Sequence, residues 1–330
     1  MNILHRLPSG PIVGTVVALC SILPLSAQGP DQPADGEAVS SLLSYESPQK
    51  QVWRVGFRLD TNGANLSNAL ATFPIPTDWP EQTVRLVDQQ VGTQVTNWGP
   101  KDIDGGVRQV RALMAQVPAG SNCEILLTFE IERARIVGPS EAETAELQIP
   151  SRPSRSLKLA LGNSPYINTT DTRIRNAARE VAAMEAANDW EKVENAYDWV
   201  REKVTYTEGN LKTASQALVD GTGDCEELTS LFIAICRNMK VPARMVWIPG
   251  HCYPEFYLED KEGNGTWFPC QAAGTRQFGK MDEYRPVLQK GDRFRVPEHK
   301  TPQRYVSEFF TCNKRGGGDP DPNFVREIVE

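Results

Sequence analysis

GTGDCEELTSLF, residues 221–232, followed after a short gap by GHCYPEFYL, residues 250–258, is the stretch from which the rest of the chain can be placed. Gly221 and Gly223 clear space and interrupt the preceding structure, Asp224 is a side-chain acceptor suited to an N-cap, and Glu227 stands where a capping-box carboxylate belongs. The spacing predicts a helix that opens with Cys225. A cysteine in a first helical turn faces unpaired backbone N–H groups and the positive end of the helix dipole. Both stabilise the thiolate, which is the nucleophilic form. Asp224, Glu226 and Glu227 crowd the same turn and oppose ionisation by like charge, so the sequence leaves the sign of the thiol's net shift open. His251, on a strand that follows, can take the thiol proton.

Working outward, Leu228, Phe232, Ile235 and Met239 continue the Cys225 stripe at helical spacing, and Leu231 and Ala234 widen it, so the helix is mostly buried. Lys240 and Pro242 end it. Residues 243–248 and 252–258 read as strands, 262–265 as a turn, and 266–272 as the returning strand, which makes a helix packed on a hairpin. Upstream, Ile174, Ala177, Ala178, Val181 and Met184 mark one amphipathic helix. Trp190, Val193, Tyr197, Val200 and Val204 mark a second, and a short helix over 213–219 ends at Asp220 and Gly221.

The first half is different in kind. Trp53, Val55, Phe57 and Leu59, and then Ile125, Leu127, Phe129 and Ile131, alternate at the period of a half-buried strand. Turn signals at Pro74, Pro76, Pro80, Gly105, Gly106, Pro118 and Gly120 punctuate the interval. The chain is therefore read as α+β, with an N-terminal antiparallel β-sandwich over 46–150 followed by helices packed on an antiparallel sheet over 151–300. Residues 301–330 are expected to be a C-terminal extension, partly loose because of the Gly-, Pro- and Asp-rich run 313–323.

His5 and Arg6, the apolar run 11–25 and the small-residue site at Ser26 and Ala27 read as an export signal over 1–27. A flexible linker over 28–45 follows. The apolar run is shorter than the ~20 residues that span a bilayer, so no integral membrane span is expected in the mature chain, whose place is periplasmic, extracellular or at the cell surface. A net charge of −7 over 330 residues excludes nucleic acid and anionic membrane as natural partners. The chain length and a hydrophobic content of 40% allow two cores of ordinary size. Oligomeric state is not legible.

Taken in order, TASQAL (213–218), GxGDC (221–225), LFIAICR (231–237), VPAR (241–244), HxYxExYL (251–258) and WFP (267–269) resemble a transglutaminase-like domain of the microbial, papain-related type. The resemblance covers roughly residues 171–274, and related exported proteins carry a β-sandwich ahead of such a domain. It implies that Cys225 is the nucleophile, that His251 is general base and acid, and that no cofactor is needed. The third position of the family's triad, four residues after the tryptophan of the returning strand, is usually acidic; here it is Gln271. An amide can orient an imidazole without stabilising its charge, and papain-type enzymes use asparagine in this role. The implied activity is that of a cysteine-dependent, protease-like hydrolase or acyltransferase. It acts on the amide bonds of a protein or peptide, and the acyl group passes to water or to an amine. The alternative is a catalytically weak or inactive binding or scaffold protein that keeps the fold.

If His251 faces Gln271 across the hairpin, Cys252 faces Cys270 on the other side of the sheet. The two can form a cross-strand disulfide or remain reduced core thiols. A two-residue turn at Asn264 and Gly265 would put Gln271 on the wrong face, so a longer loop, about 259–263, is expected. Tyr253 and Trp267 are expected to wall the cleft, and Glu255 to serve strand pairing or the surface. Zinc held by Cys252, Cys270 and His251 would lack a fourth ligand and a Cys-x-x-Cys knuckle, so no metal is assigned.

Overall fold

The structure, a computed structural model, describes residues 42–103 and 105–329. The export signal and most of the flexible linker expected from the sequence lie outside the described residues. In chain order the strands of the first half are β1 (Ser44–Asp60), β2 (Asn65–Ile75), β3 (Gln82–Val91), β4 (Asn97–Ile103), β5 (Val107–Val117) and β6 (Asn122–Val137). The second half runs α1 (Glu141–Thr144), α2 (Arg155–Leu159), α3 (Thr172–Ala182), α4 (Asp189–Lys203), β7 (Thr205–Tyr206), α5 (Ala214–Asp220), β8 (Thr222–Gly223), α6 (Cys225–Asn238), β9 (Ala243–Ile248), β10 (His251–Glu259), β11 (Gly265–Pro269) and β12 (Gln289–Lys290). Two strands, β13 (Phe309–Arg315) and β14 (Asp321–Ile328), close the chain.

The alternating residues of β1 and β6 do what their period requires. Trp53, Val55, Phe57 and Leu59 are buried together with Ile125, Leu127, Phe129 and Ile131, against Leu66, Phe73, Val110 and Met114 from β2 and β5. Two antiparallel sheets, ordered β14-β1-β6-β3 and β13-β2-β5-β4, share this apolar core.

Each sheet thus takes one strand from the C-terminal end, where a partly loose extension was expected. The Gly-rich composition that suggested looseness instead forms the turn between β13 and β14. Gly316 and Gly317 adopt φ of 67° and 61°, and a Cβ on Gly317 would lie 2.3 Å from the backbone N of Ala64. Asn62 fastens this turn by donating its side-chain amide to the Asp319 carbonyl at 2.7 Å. Phe310 and Phe324 then pack on Phe57, with ring centroids 5.4 and 5.2 Å away.

In the second half, α6 is buried along most of its length, from Glu227 to Arg237. It packs on the antiparallel sheet β11-β10-β9-β12 and is flanked by α3, α4 and α5. An aromatic cluster supports the sheet, in which Trp190 of α4 meets Phe256, Phe268 and Phe278 edge-on at 5.0–5.5 Å. The molecule is therefore α+β with antiparallel main sheets. No helix among the described residues is long and apolar enough to cross a membrane.

Buried polar groups join the two halves. Lys290 of β12 lies 2.7 Å from Glu255 of β10 and 2.7 Å from Glu81, which directly precedes β3, and all of these side chains are almost fully buried. Arg244 completes the cluster with a 2.7 Å bond to the second Glu255 oxygen. Burial alone would raise the Glu255 pKa, but Lys290 and Arg244 hold it below its ordinary value. Glu255 is thus not a strand-surface residue; it belongs to this junction.

Candidate active site

The start of α6 is built as the sequence predicts, and its glycines show why. Gly221 ends α5 in the left-handed region at φ 65°, donating its N–H to Ala217. Gly223 then passes so close to α6 that a Cβ there would stand 2.6 Å from Cβ of Glu227. Asp224 caps the helix by accepting the Glu226 N–H at 2.7 Å, and Glu227 returns the bond by accepting the Asp224 N–H at 2.8 Å. The other Glu227 oxygen accepts the Lys212 N–H at 3.0 Å. Glu226, the remaining carboxylate of the turn, is ion-paired with Arg304. Each carboxylate that could oppose a thiolate at Cys225 is therefore already engaged.

Cys225 is half-buried, and its pKa is lowered to about 5. The largest cause is a hydrogen bond from the Cys252 thiol. Burial opposes it, while a hydrogen bond to His251, the charge of that imidazole and the Cys252 backbone N–H all favour the thiolate. The sign left open by the sequence is thus downward, through a neighbour on β10 rather than through the helix end alone.

His251 opens β10, and its Nε2 lies 2.8 Å from the side-chain oxygen of Gln271. That contact assigns the Nε2 proton to Gln271 and leaves Nδ1 for Cys225. Burial presses the imidazole towards neutrality, yet hydrogen bonds to Cys225 and Gln271 and the thiolate charge raise its pKa, with Arg285 acting in opposition. Gln271 is itself clamped. Its backbone carbonyl accepts from the Tyr197 hydroxyl at 2.8 Å and from Arg201 at 2.9 Å, and its backbone N–H donates to the Gln277 carbonyl at 2.8 Å.

The register of the hairpin differs from the expected one by two residues. Glu255 pairs with Pro269 and Glu259 with Gly265, joined by a five-residue loop, 260–264, that Asp260 folds by accepting the N–H groups of Glu262 and Asn264. Parity is kept, so His251 and Gln271 share a face but stand diagonally. A diagonal separation of about 7–8 Å between Cα atoms is within reach of a long amide and an imidazole. The same offset separates the two cysteines. Cys270 stands at Pro254, to whose carbonyl its N–H donates at 3.0 Å, whereas Cys252 turns to Cys225, and both thiols are free. A disulfide needs Cβ atoms about 3.5–4.5 Å apart, which direct opposition would have supplied and the diagonal does not.

Neither residue expected to wall the cleft does so. Tyr253 is fully buried, with its hydroxyl accepting a 2.8 Å bond from Arg133 of β6. Trp267 pairs with Tyr257, six residues along β10 from His251, and carries the Arg244 guanidinium 4.1 Å above its ring. At about 3.3 Å per residue it lies far from His251.

Other residues surround the site. Tyr206 of β7 is 52% exposed and pairs with Gly223 beside the cysteine turn, whose charge raises its pKa after burial has done so. Trp247 of β9 stands opposite Cys252. Arg304 reaches Glu226 from the segment that leads back to β13. Arg285 bonds the Pro249 carbonyl at 3.0 Å close to His251. Tyr206 and Trp247 had a weak signal, being aromatics next to the Cys and His segments. The two arginines had none, since tertiary folding alone brings 285 and 304 here.

Residues 175–272 match the model of the transglutaminase-like superfamily, a span that contains Cys225, His251 and Gln271. No curated protein matches the chain. Among solved structures, the chain is similar to a protein provisionally assigned as a cysteine protease from Cytophaga hutchinsonii, with a TM-score of 0.58 and 17% identity over 88% of this chain and 93% of that one. This likeness is one of fold, and it extends beyond the 175–272 segment. A provisionally assigned protease from Parabacteroides distasonis is 13% identical over 71% of this chain and 48% of that one, at a TM-score of 0.26, too low to bear on the site.

Proposed function

From the transglutaminase-like domain at residues 175–272, we propose that the protein is a cysteine-dependent enzyme that cleaves or transfers at amide bonds of a peptide or protein. The observation that carries this reading is the chain from a thiol lowered to about 5, through His251, to the side-chain amide of Gln271, whose backbone is held by Tyr197 and Arg201. In this reading the Cys225 thiolate forms a bond to the amide carbonyl carbon. The Cys225 backbone N–H assists the developing oxyanion, and the imidazolium Nδ1 gives its proton to the departing amine as the C–N bond breaks. His251 then takes a proton from water, or from an acceptor amine, as that nucleophile attacks the thioester and releases Cys225. Gln271 keeps the ring in the required tautomer and orientation.

The apolar run 11–25 supports export of the protein, so the substrate would be met outside the cytoplasm. Intact-protein mass spectrometry of an acid-quenched reaction with a peptide mixture tests the chemistry. The expected result is a hydroxylamine-sensitive acyl adduct on Cys225, absent in Cys225→Ala and accumulating little in His251→Ala. An unmodified Cys225 across a broad peptide mixture, in a folded protein, would oppose the enzyme reading and favour a binding role for the same fold.

A further inference from the structure

Arg304 comes from the segment that returns to the first half of the molecule, yet it stands at the open end of α6. One of its terminal nitrogens pairs with Glu226, the residue after the nucleophile. Its guanidinium lies 5.3 Å from the ring centroid of Trp247 and 5.8 Å from that of Tyr166, so two aromatic faces hold its plane without using its N–H groups. Trp247 is fixed in turn by donating its indole N–H to the Gly291 carbonyl at 2.9 Å and by the edge of Tyr305 at 5.3 Å. The Arg304 side chain remains 34% exposed.

A guanidinium has five N–H donors in a planar fork, and the pairing with Glu226 engages only one edge of it. The carboxylates of the neighbourhood are spent internally, Asp224 and Glu227 in the helix cap and Glu226 on Arg304 itself. What this side of the rim, at the start of α6, offers to an incoming ligand is thus the unused donor edge of the Arg304 guanidinium, while the three carboxylates of the helix turn are already engaged. We propose that Arg304 forms a carboxylate-binding subsite next to Cys225, selecting peptides that place an acidic group beside the acyl group attacked. The inference rests on the thiol-enzyme reading for its substrate. Two sources supply the same chemistry, an Asp or Glu side chain and the free carboxylate of a chain end.

The test is protection of Cys225 in the full chain against iodoacetamide, a neutral reagent whose rate reports the thiolate itself. Three protectants are compared: N-acetylglutamate α-amide with a side-chain carboxylate, N-acetylglycine with a terminal one, and N-acetylglutamine α-amide as the neutral isostere. The expected result is protection by at least one acid at a concentration where the neutral compound gives none, and the acid that protects identifies the source. Arg304→Gln weakens that protection at least about tenfold, the scale of a lost charge-assisted hydrogen bond, and Arg304→Lys weakens it less. Glu226→Gln, which removes the internal competitor, strengthens it.

Equal protection by the neutral isostere, or protection unchanged in a folded Arg304→Gln, would overturn the proposal. A wild-type Cys225 inert to iodoacetamide would instead count against the enzyme reading. In that event the same three compounds are titrated against Cys225→Ser with and without Arg304→Gln by ligand-observed NMR. Binding of the acid that depends on Arg304 sustains the subsite, and binding that ignores it ends the proposal.

Discussion

Gln271 reaches His251 across a diagonal of the hairpin, and its amide supplies orientation without charge. The imidazolium must then draw its electrostatic support from the Cys225 thiolate. Removing the amide in Gln271→Ala is expected to lower kcat/KM by about 10–100-fold, the loss of one hydrogen bond to a charged ring at about 1.5–3 kcal/mol. The thiol pKa should stay well below its ordinary value, because its largest support comes from Cys252. Gln271→Glu keeps the shape and adds a negative charge next to the ring, so the alkaline limb of the pH–rate profile should move upward. A limb that stays in place would show that residue 271 does not face the working imidazole. At this scale Cys225 and His251 were legible, because a capping signature and a single well-placed histidine are local patterns. The sign of the thiol shift was not, since it depends on which groups the three carboxylates and Cys252 meet in space.

The entry into α6 concentrates the requirements of the site into a few backbone positions. The Asp224 cap satisfies a first-turn N–H, and the returned bond from Glu227 fixes the residue that precedes Cys225. Asp224→Ala is expected to cost about 1 kcal/mol of stability in urea unfolding. It should also slow Cys225 alkylation, because a loosened first turn no longer holds the sulfur between Cys252 and His251. A variant that loses stability but alkylates normally would show that the cap serves the helix alone. The helix, its cap and the hairpin parity were legible, since each follows from residue spacing. The register was not. The loop 260–264 is set by Asp260 bonding its own backbone, and a two-residue slip keeps every side chain on its face while changing which residues meet, as Cys252 and Cys270 show.

The two halves of the molecule are held together by charge as well as by packing. Lys290 sits between Glu81 of the first half and Glu255 of the second, and Lys290→Ala would leave two carboxylates buried near each other. Breaking such a cluster is expected to cost about 3–5 kcal/mol, with partial rescue at acid pH as Glu81, left without its cation while Arg244 still holds Glu255, protonates. In the wild type the sign is opposite. Glu255 is held below its ordinary value, so its contribution is present above the ordinary carboxylate range and is lost as pH falls through the lowered value. Thermal melts of both proteins from neutral pH to below the ordinary carboxylate range check this, and a Lys290→Ala variant that is most stable at neutral pH would contradict it. The first-half strands were legible from their alternation. The return of β13 and β14 was not, because Gly-, Pro- and Asp-rich composition reads the same in a loose tail and in a tight turn between two paired strands. With that return went the position of Arg304, which no local pattern announces.

The most direct test of the central claim is the pH dependence of Cys225 alkylation by iodoacetamide in the wild type, His251→Ala and Cys252→Ala. The account predicts a wild-type midpoint near 5, with the thiolate and the imidazolium coexisting from there to above the ordinary histidine value near 6.5, and a midpoint displaced upward in both variants. A wild-type midpoint near the ordinary cysteine value of about 8.5, or one that neither substitution moves, would contradict it.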